Sequence, residues 1–298
     1  MRFVARALLL VTLTTHVYAK PIYIGILDEP QNQTGTSSKV LFVKKEGKWL
    51  SFADRYYREY NTSVPNLQLM KWIVAFNGQK LGELKIEDPD PKKKFINSWF
   101  YARDKFFSVS AGQKTPQIKN VSKKFGGWVK VPNNRPLVLV SEPNFNDPEH
   151  WKPFAVDDTM KKRLYVPLKL VIGKLNAYRC PDGPYVNEPE PYSFTSDDIV
   201  IYSAYTSSIG QKIVSAGLND KKFGCDGLLP PEWSNNWFLL EGENVEYIGR
   251  EMTLVDAGDY DGDGQSELLF WHNSYNEDGY ILIYNAFQNK SEYLWGYH

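Results

Sequence analysis

The sequence predicts an all-β protein, and three observations carry that prediction. Short β-branched and aromatic runs occur along the whole chain, Gly, Pro, Asn and Asp separate them, and helical spacing is scarce. The composition is that of an ordinary globular chain: 298 residues, 42% hydrophobic and 23% charged, with 35 basic side chains balancing 35 acidic ones. That balance excludes a disordered chain, a collagen, a coiled coil and a nucleic-acid binder working by bulk positive charge.

The chain opens with Arg2 and Arg6, a short apolar run over residues 7–13, and small Val17 and Ala19 before Lys20. This is the order of a secretory signal peptide, so residues 1–19 are expected to be removed by a cut after Ala19. The apolar run is shorter than the roughly 20 residues that span a bilayer. No later segment reads as a membrane span, and the expected location is secreted or periplasmic. Removal of two arginines and no acid leaves a net charge of −2. Cys180 and Cys225 suit an oxidising compartment, and as the only two cysteines they define one intrachain disulfide, the alternative being two buried thiols. Such a bridge would stabilise the fold by about 4 kcal/mol through chain entropy. Asn32, Asn61, Asn120 and Asn289 head glycosylation sequons that matter only in a eukaryotic source.

Within residues 20–298, read as one domain, residues 51–60 form the one short helical pattern, with Phe52, Tyr56 and Tyr60 four apart. Glu46-Gly47 between Val40–Val43 and Lys48–Phe52 predicts a hairpin. Asn77-Gly78 between Trp72–Phe76 and Gln79–Leu84 predicts a second, because Asn-Gly accepts the positive φ of both central positions in a type I′ turn. Further strands are expected at residues 136–140, 198–202, 236–240, 268–271 and 280–284. Faint self-similarity links Trp49-x-x-Phe52 to Trp151-x-x-Phe154, and Gly78-Gln79-Lys80-Leu81 to Gly210-Gln211-Lys212-Ile213. Many short strands with weak repetition predict a degenerate β-propeller of about five to seven blades, at ~40–55 residues each. A pair of β-sandwiches is the competing architecture.

The sharpest motif lies at residues 256–267. Counting from Asp259, carboxylates fall at positions 1, 3, 5 and 9, as Asp259, Asp261, Asp263 and Glu267. Gln265 at position 7 offers a backbone carbonyl, and Gly262 and Gly264 let the chain curl so that alternate side chains converge. Carboxylates this close repel one another unless a cation sits among them. An all-oxygen donor set without His or Cys selects Ca²⁺ over zinc or copper. A plain surface turn is the alternative.

The spacing follows an EF-hand loop only at its start, since position 12 is Phe270 and position 8 is Ser266. The flanks, Leu254-Val255 and Leu268–Trp271, read as strands. Strand, acidic loop, strand resembles the calcium loop of FG-GAP or VCBS repeats in integrin-alpha-type β-propellers. The resemblance spans residues 250–285, about one blade; no second D-x-D-x-D-G occurs in the chain, and neither a Phe-Gly nor a Gly-Ala-Pro signature lies within that span. It implies a structural Ca²⁺ pinning adjacent strands, with Asp259, Asp261, Asp263 and Glu267 as side-chain ligands.

No G-x-S-x-G, H-E-x-x-H or phosphate-binding G-x-x-x-x-G-K-S/T is present, and no catalytic residue is assigned. Asp147-Pro148-Glu149-His150 reads as a solvated turn, and His272 as a packed histidine. The expected function is a non-enzymatic binding or structural module with an extracellular protein or glycan as partner. The alternative is a carbohydrate-binding or carbohydrate-cleaving protein, for which nine Trp and nineteen Tyr would supply stacking platforms.

Overall fold

The turn chemistry of the first two hairpins is realised as the sequence dictates. Glu46 and Gly47 adopt φ of 52° and 76°, and Asn77 and Gly78 adopt 52° and 67°, so both are two-residue turns with left-handed central positions. They close Lys45 onto Lys48 and Phe76 onto Gln79. The computed structural model describes residues 20–28, 37–52, 67–87, 106–109, 113–116, 135–173, 193–219, 233–275 and 277–296. The expected signal peptide, Cys180, Cys225 and three of the four sequons lie outside these residues. Asn289 begins the last strand and is exposed.

Among the described residues three antiparallel sheets are formed, none closed on itself. The first contains β1 (Ile22–Asp28), β2 (Ser37–Lys45), β3 (Lys48–Ser51), β4 (Trp72–Phe76), β5 (Gln79–Leu84), β6 (Ile86–Glu87), β7 (Phe106–Val109) and β8 (Leu137–Val140). Its order is β5-β4-β8-β1-β2-β7-β6, with β3 also on β2. The middle sheet runs β13-β12-β11-β10-β9, from β9 (Lys152–Pro153), β10 (Ile199–Thr206), β11 (Lys212–Leu218), β12 (Asn236–Glu241) and β13 (Asn244–Arg250). The last is a plain meander of β14 (Met252–Gly258), β15 (Glu267–Ser274), β16 (Glu277–Tyr284) and β17 (Asn289–Gly296).

All-β is therefore the fold class, with one addition that the sequence reading did not foresee. Helix α1 (Asp158–Ile172) starts at Asp157, whose carboxylate accepts from the Met160 N–H at 2.8 Å, and ends at Gly173 with φ 71°. Pro167 interrupts its pattern and removes one helical hydrogen bond, an expense of about 3 kcal/mol for an interior proline. Burial of Leu164, Leu168 and Ile172, one helical turn apart, against the middle sheet offsets it. The helix expected over residues 51–60 is not seen at its start. Ser51 ends β3, and the Phe52 N–H donates to the Leu41 carbonyl; the rest lies outside the described residues. No described helix is long and apolar enough to cross a membrane.

The sheets stack face to face. Val255, Leu269, Trp271 and Leu282 of the last sheet share a core with Ile24, Phe42, Ile73 and Val140 of the first. Their neighbours Leu254, Phe270, Ile281 and Ile283 point the other way, onto Ile213, Trp237 and Leu239 of the middle sheet. The far face of that sheet, with Val214, Ala216, Phe238 and Leu240, carries α1. A sheet covered on both faces has no solvent side. The continuous runs Leu268–Trp271 and Tyr280–Tyr284 express this where an alternating pattern would mark a half-exposed strand.

The two type I′ turns differ in surroundings, which gives a direct check. A Cβ on Gly47 meets nothing within 4 Å, whereas one on Gly78 would lie 2.3 Å from the Asp147 Cβ and 3.1 Å from the Ala257 carbonyl oxygen. Gly47→Ala should lose only the backbone preference, roughly 1–2 kcal/mol. Gly78→Ala should lose that plus the clash, about 3–4 kcal/mol in total. Urea unfolding of the two variants measures the difference; equal losses would contradict the close docking of the second turn.

Candidate metal centre

The loop between β14 and β15 is organised by its own aspartates. Asp259 Oδ1 accepts from the N–H groups of Gly262 (2.6 Å) and Asp263 (3.1 Å), and its Oδ2 accepts from Gly264 (2.8 Å). Asp261 Oδ1 accepts from the Asp263 N–H, and Asp263 Oδ1 from the Gln265 N–H. Positive φ at Gly262 (79°) and Gly264 (89°) permits the curl. One carboxylate oxygen from each of Asp259, Asp261 and Asp263 comes within 4.8 Å of the others. The three side chains are graded from buried Asp259 to exposed Asp263. Gln265 is exposed on the rim.

Glu267 is buried beside this group, at 3% exposure. Its Oε2 accepts from the Tyr260 N–H at 2.8 Å and its Oε1 from the Trp49 indole N–H at 3.4 Å. Burial pushes the Glu267 carboxyl well above its ordinary range, and the neighbouring Asp261 carboxyl adds to the shift. This is the behaviour of a carboxylate that lacks a compensating charge. A cation among these oxygens would reverse it. The donor set is all oxygen, and it suits a hard divalent ion such as Ca²⁺.

The loop is held from two sides by residues that the motif did not identify. From the first sheet, the Lys44 ammonium pairs with Asp261 Oδ2, and its nitrogen lies 5.9 Å from the centre of the Trp49 ring. From the segment after β8, Asn146 forms a β-bridge to Asp259, whose N–H donates to the Asn146 carbonyl at 2.8 Å. Phe145 stacks on Tyr260, with ring centres 5.3 Å apart and planes 12° from parallel. Asp147 Oδ1 accepts from the Ser266 hydroxyl at 2.6 Å, and its Oδ2 from the Trp151 N–H at 2.7 Å. The segment read as a solvated turn is thus, at Asp147, a buried brace of the acidic loop; only His150 fits the earlier description. Trp151 also donates its indole N–H to Glu149 at 2.9 Å. His272 is buried, with Nε2 3.5 Å from Glu277.

Close by, Asp256 is buried where the Asn77-Gly78 turn docks. A β-bulge between Leu254 and Asp256 turns it toward the first sheet, and its Oδ1 accepts from the Gly78 N–H at 2.9 Å. Among the described residues its Oδ2 has no partner. Arg135 stands near, its guanidinium 3.6 Å from the centre of the Phe76 ring and donating to Asn77 Oδ1. Burial raises the Asp256 carboxyl to about 7, against the hydrogen bonds from Gly78 and Ala257 and the charge of Arg135.

Five tryptophans, at 49, 72, 233, 237 and 271, are buried in packing and present no face on which a ligand could stack. Among the described residues the exposed aromatics lie apart, Tyr202 on β10, Tyr247 on β13 and Tyr275 in the turn after β15. No protein-family model, curated protein or solved structure matches the chain.

Asp256 gives the pH dependence a sign. Its folded pKa lies above the unfolded value of 3.8, so the native state holds the proton longer. The stability that this group contributes is full below about pH 4 and is lost as pH rises toward 7, by about 4 kcal/mol for a shift of this size. Asp256→Asn removes that slope while keeping an acceptor for Gly78. Its stability relative to wild type should rise between pH 5 and pH 8 in denaturant titrations. Parallel profiles would contradict an ionisable Asp256 buried in the native state.

Proposed function

We propose that this chain is an exported, non-enzymatic binding or structural module of propeller-like build, with one structural Ca²⁺ in an FG-GAP-like loop. The observation that carries the reading is the convergence of Asp259, Asp261 and Asp263 within 4.8 Å on a loop between two adjacent strands. Asp259, Asp261 and Asp263 would hold the ion, with Gln265 offering its carbonyl and Glu267 closing the site beside Asp261. The ion would supply positive charge beyond that of the Lys44 ammonium paired with Asp261.

Two features support the propeller-like part. The last sheet is an up-and-down four-stranded meander, and β10 to β13 form another. The sheets pack face to face, as neighbouring blades do. A structural role for the ion is supported by what surrounds it. Asp147 and Glu267 are engaged in hydrogen bonds that brace the loop. The loop itself touches both the first sheet and the segment after β8, so fixing it ties distant parts of the chain together.

Thermal unfolding tests the reading. Ca²⁺ at 100 times its dissociation constant adds about 2.7 kcal/mol. For a chain of this size the melting temperature should then rise by about 5 °C over that in chelator. Asp263→Ala removes an exposed side chain whose one described partner is the Gln265 N–H. It should melt close to wild type in chelator and lose most of the Ca²⁺-dependent rise. A wild-type melting temperature indifferent to millimolar Ca²⁺ contradicts the proposal.

A further inference from the structure

Lys44 belongs to β2 in the first sheet, yet its ammonium is paired with Asp261, 217 positions later in the loop of the last sheet. The contact is sheltered: the Lys44 side chain is 21% exposed and that of Asp261 is 1%. The Trp49 ring lies alongside, and Trp49 also donates to Glu267. A monovalent cation on a tether therefore occupies one of the three carboxylates that converge in the loop.

We propose that Lys44 is a built-in competitor for the metal: its ammonium neutralises Asp261 when no ion is bound, and a divalent cation must displace it to engage all three aspartates. The inference rests on the reading of this loop as a divalent-cation site. The physical reason is charge. An ammonium and a divalent ion repel each other across a buried carboxylate, where water screens poorly, so both cannot hold Asp261 at full strength. The lysine has a second function in the metal-free protein. Without it, the first sheet would face a cluster of uncompensated carboxylates, so Lys44 keeps the loop docked while lowering the apparent affinity for the ion. The site is thereby set to respond to higher cation concentrations than its acidic residues alone would demand. Displacement also breaks the ion pair that joins the first sheet to the last, so metal occupancy removes one tie between them.

Calorimetric titration of the full-length protein with CaCl₂ tests this, using wild type, Lys44→Met, Lys44→Gln and Lys44→Arg, each checked for folding by circular dichroism. Methionine keeps the aliphatic stem beside Trp49, and glutamine keeps polarity, so the conclusion does not rest on one variant. Both uncharged variants should bind Ca²⁺ at least tenfold more tightly than wild type and melt earlier in chelator. Arginine should bind no more tightly than wild type. If wild type binds and the uncharged variants bind equally or more weakly, Lys44 supports the ion and the proposal is overturned while the site stands. If wild type is silent and Lys44→Met binds, competition is established in its strongest form. If none of the four proteins binds, the loop takes no Ca²⁺ and both readings fall.

Discussion

A carboxylate-rich loop held between two sheets is the constraint on which the rest of this structure depends. Charged oxygens leave water only when something replaces their solvation. Here the replacements are the loop's own N–H groups together with Lys44 and Trp49 from the first sheet, while Asn146 and Asp147, from the segment after β8, accept from the loop's Asp259 N–H and Ser266 hydroxyl. Lys44, Trp49, Asn146 and Asp147 are each separated from the loop by more than a hundred positions, so the acidic segment acts as a keystone for long-range contacts as well as a connection between β14 and β15. Its wedge of Phe145 on Tyr260 seals the apolar side of the same junction.

The layered core explains why such a keystone is useful. The last sheet is covered on both faces, by the first sheet on one side and the middle sheet on the other. Apolar stacking of this kind is strong but indifferent to small sliding movements, because burial is non-directional. Directional contacts are needed to hold register between layers. The Gly78 N–H on Asp256, the Trp49 indole on Glu267 and the Ser266 hydroxyl on Asp147 provide them at one end of the stack. Buried Asp256 and Glu267 carry a penalty for this role, seen in their raised carboxyl pKa values.

Much of the local structure was legible in the sequence. Glu46-Gly47 and Asn77-Gly78 specify two-residue turns by backbone conformation alone, and the runs around Leu268–Trp271 and Tyr280–Tyr284 signal strands without a solvent face. The convergence of Asp259, Asp261 and Asp263 follows from alternate spacing and glycines that allow the curl. Three things were not legible. Pro167 hid α1, whose stability comes from burial of Leu164, Leu168 and Ile172 on a sheet formed later in the chain. Lys44 and Asp147 look like any surface lysine and any turn aspartate, because their function depends on tertiary neighbours. The order of the first sheet, with β8 inserted between β4 and β1, leaves no mark in strand patterns at all.

The most direct test of the central claim uses the geometry around Trp49. Its indole donates to Glu267 beside the aspartate group, so a luminescent lanthanide bound there lies within energy-transfer range of that ring. Terbium added to the protein and excited through tryptophan should emit strongly, calcium should quench the emission by competition, and Trp49→Phe should remove most of it. Absence of sensitised emission in the folded protein, or emission untouched by Asp259→Ala, would contradict a metal held in this loop.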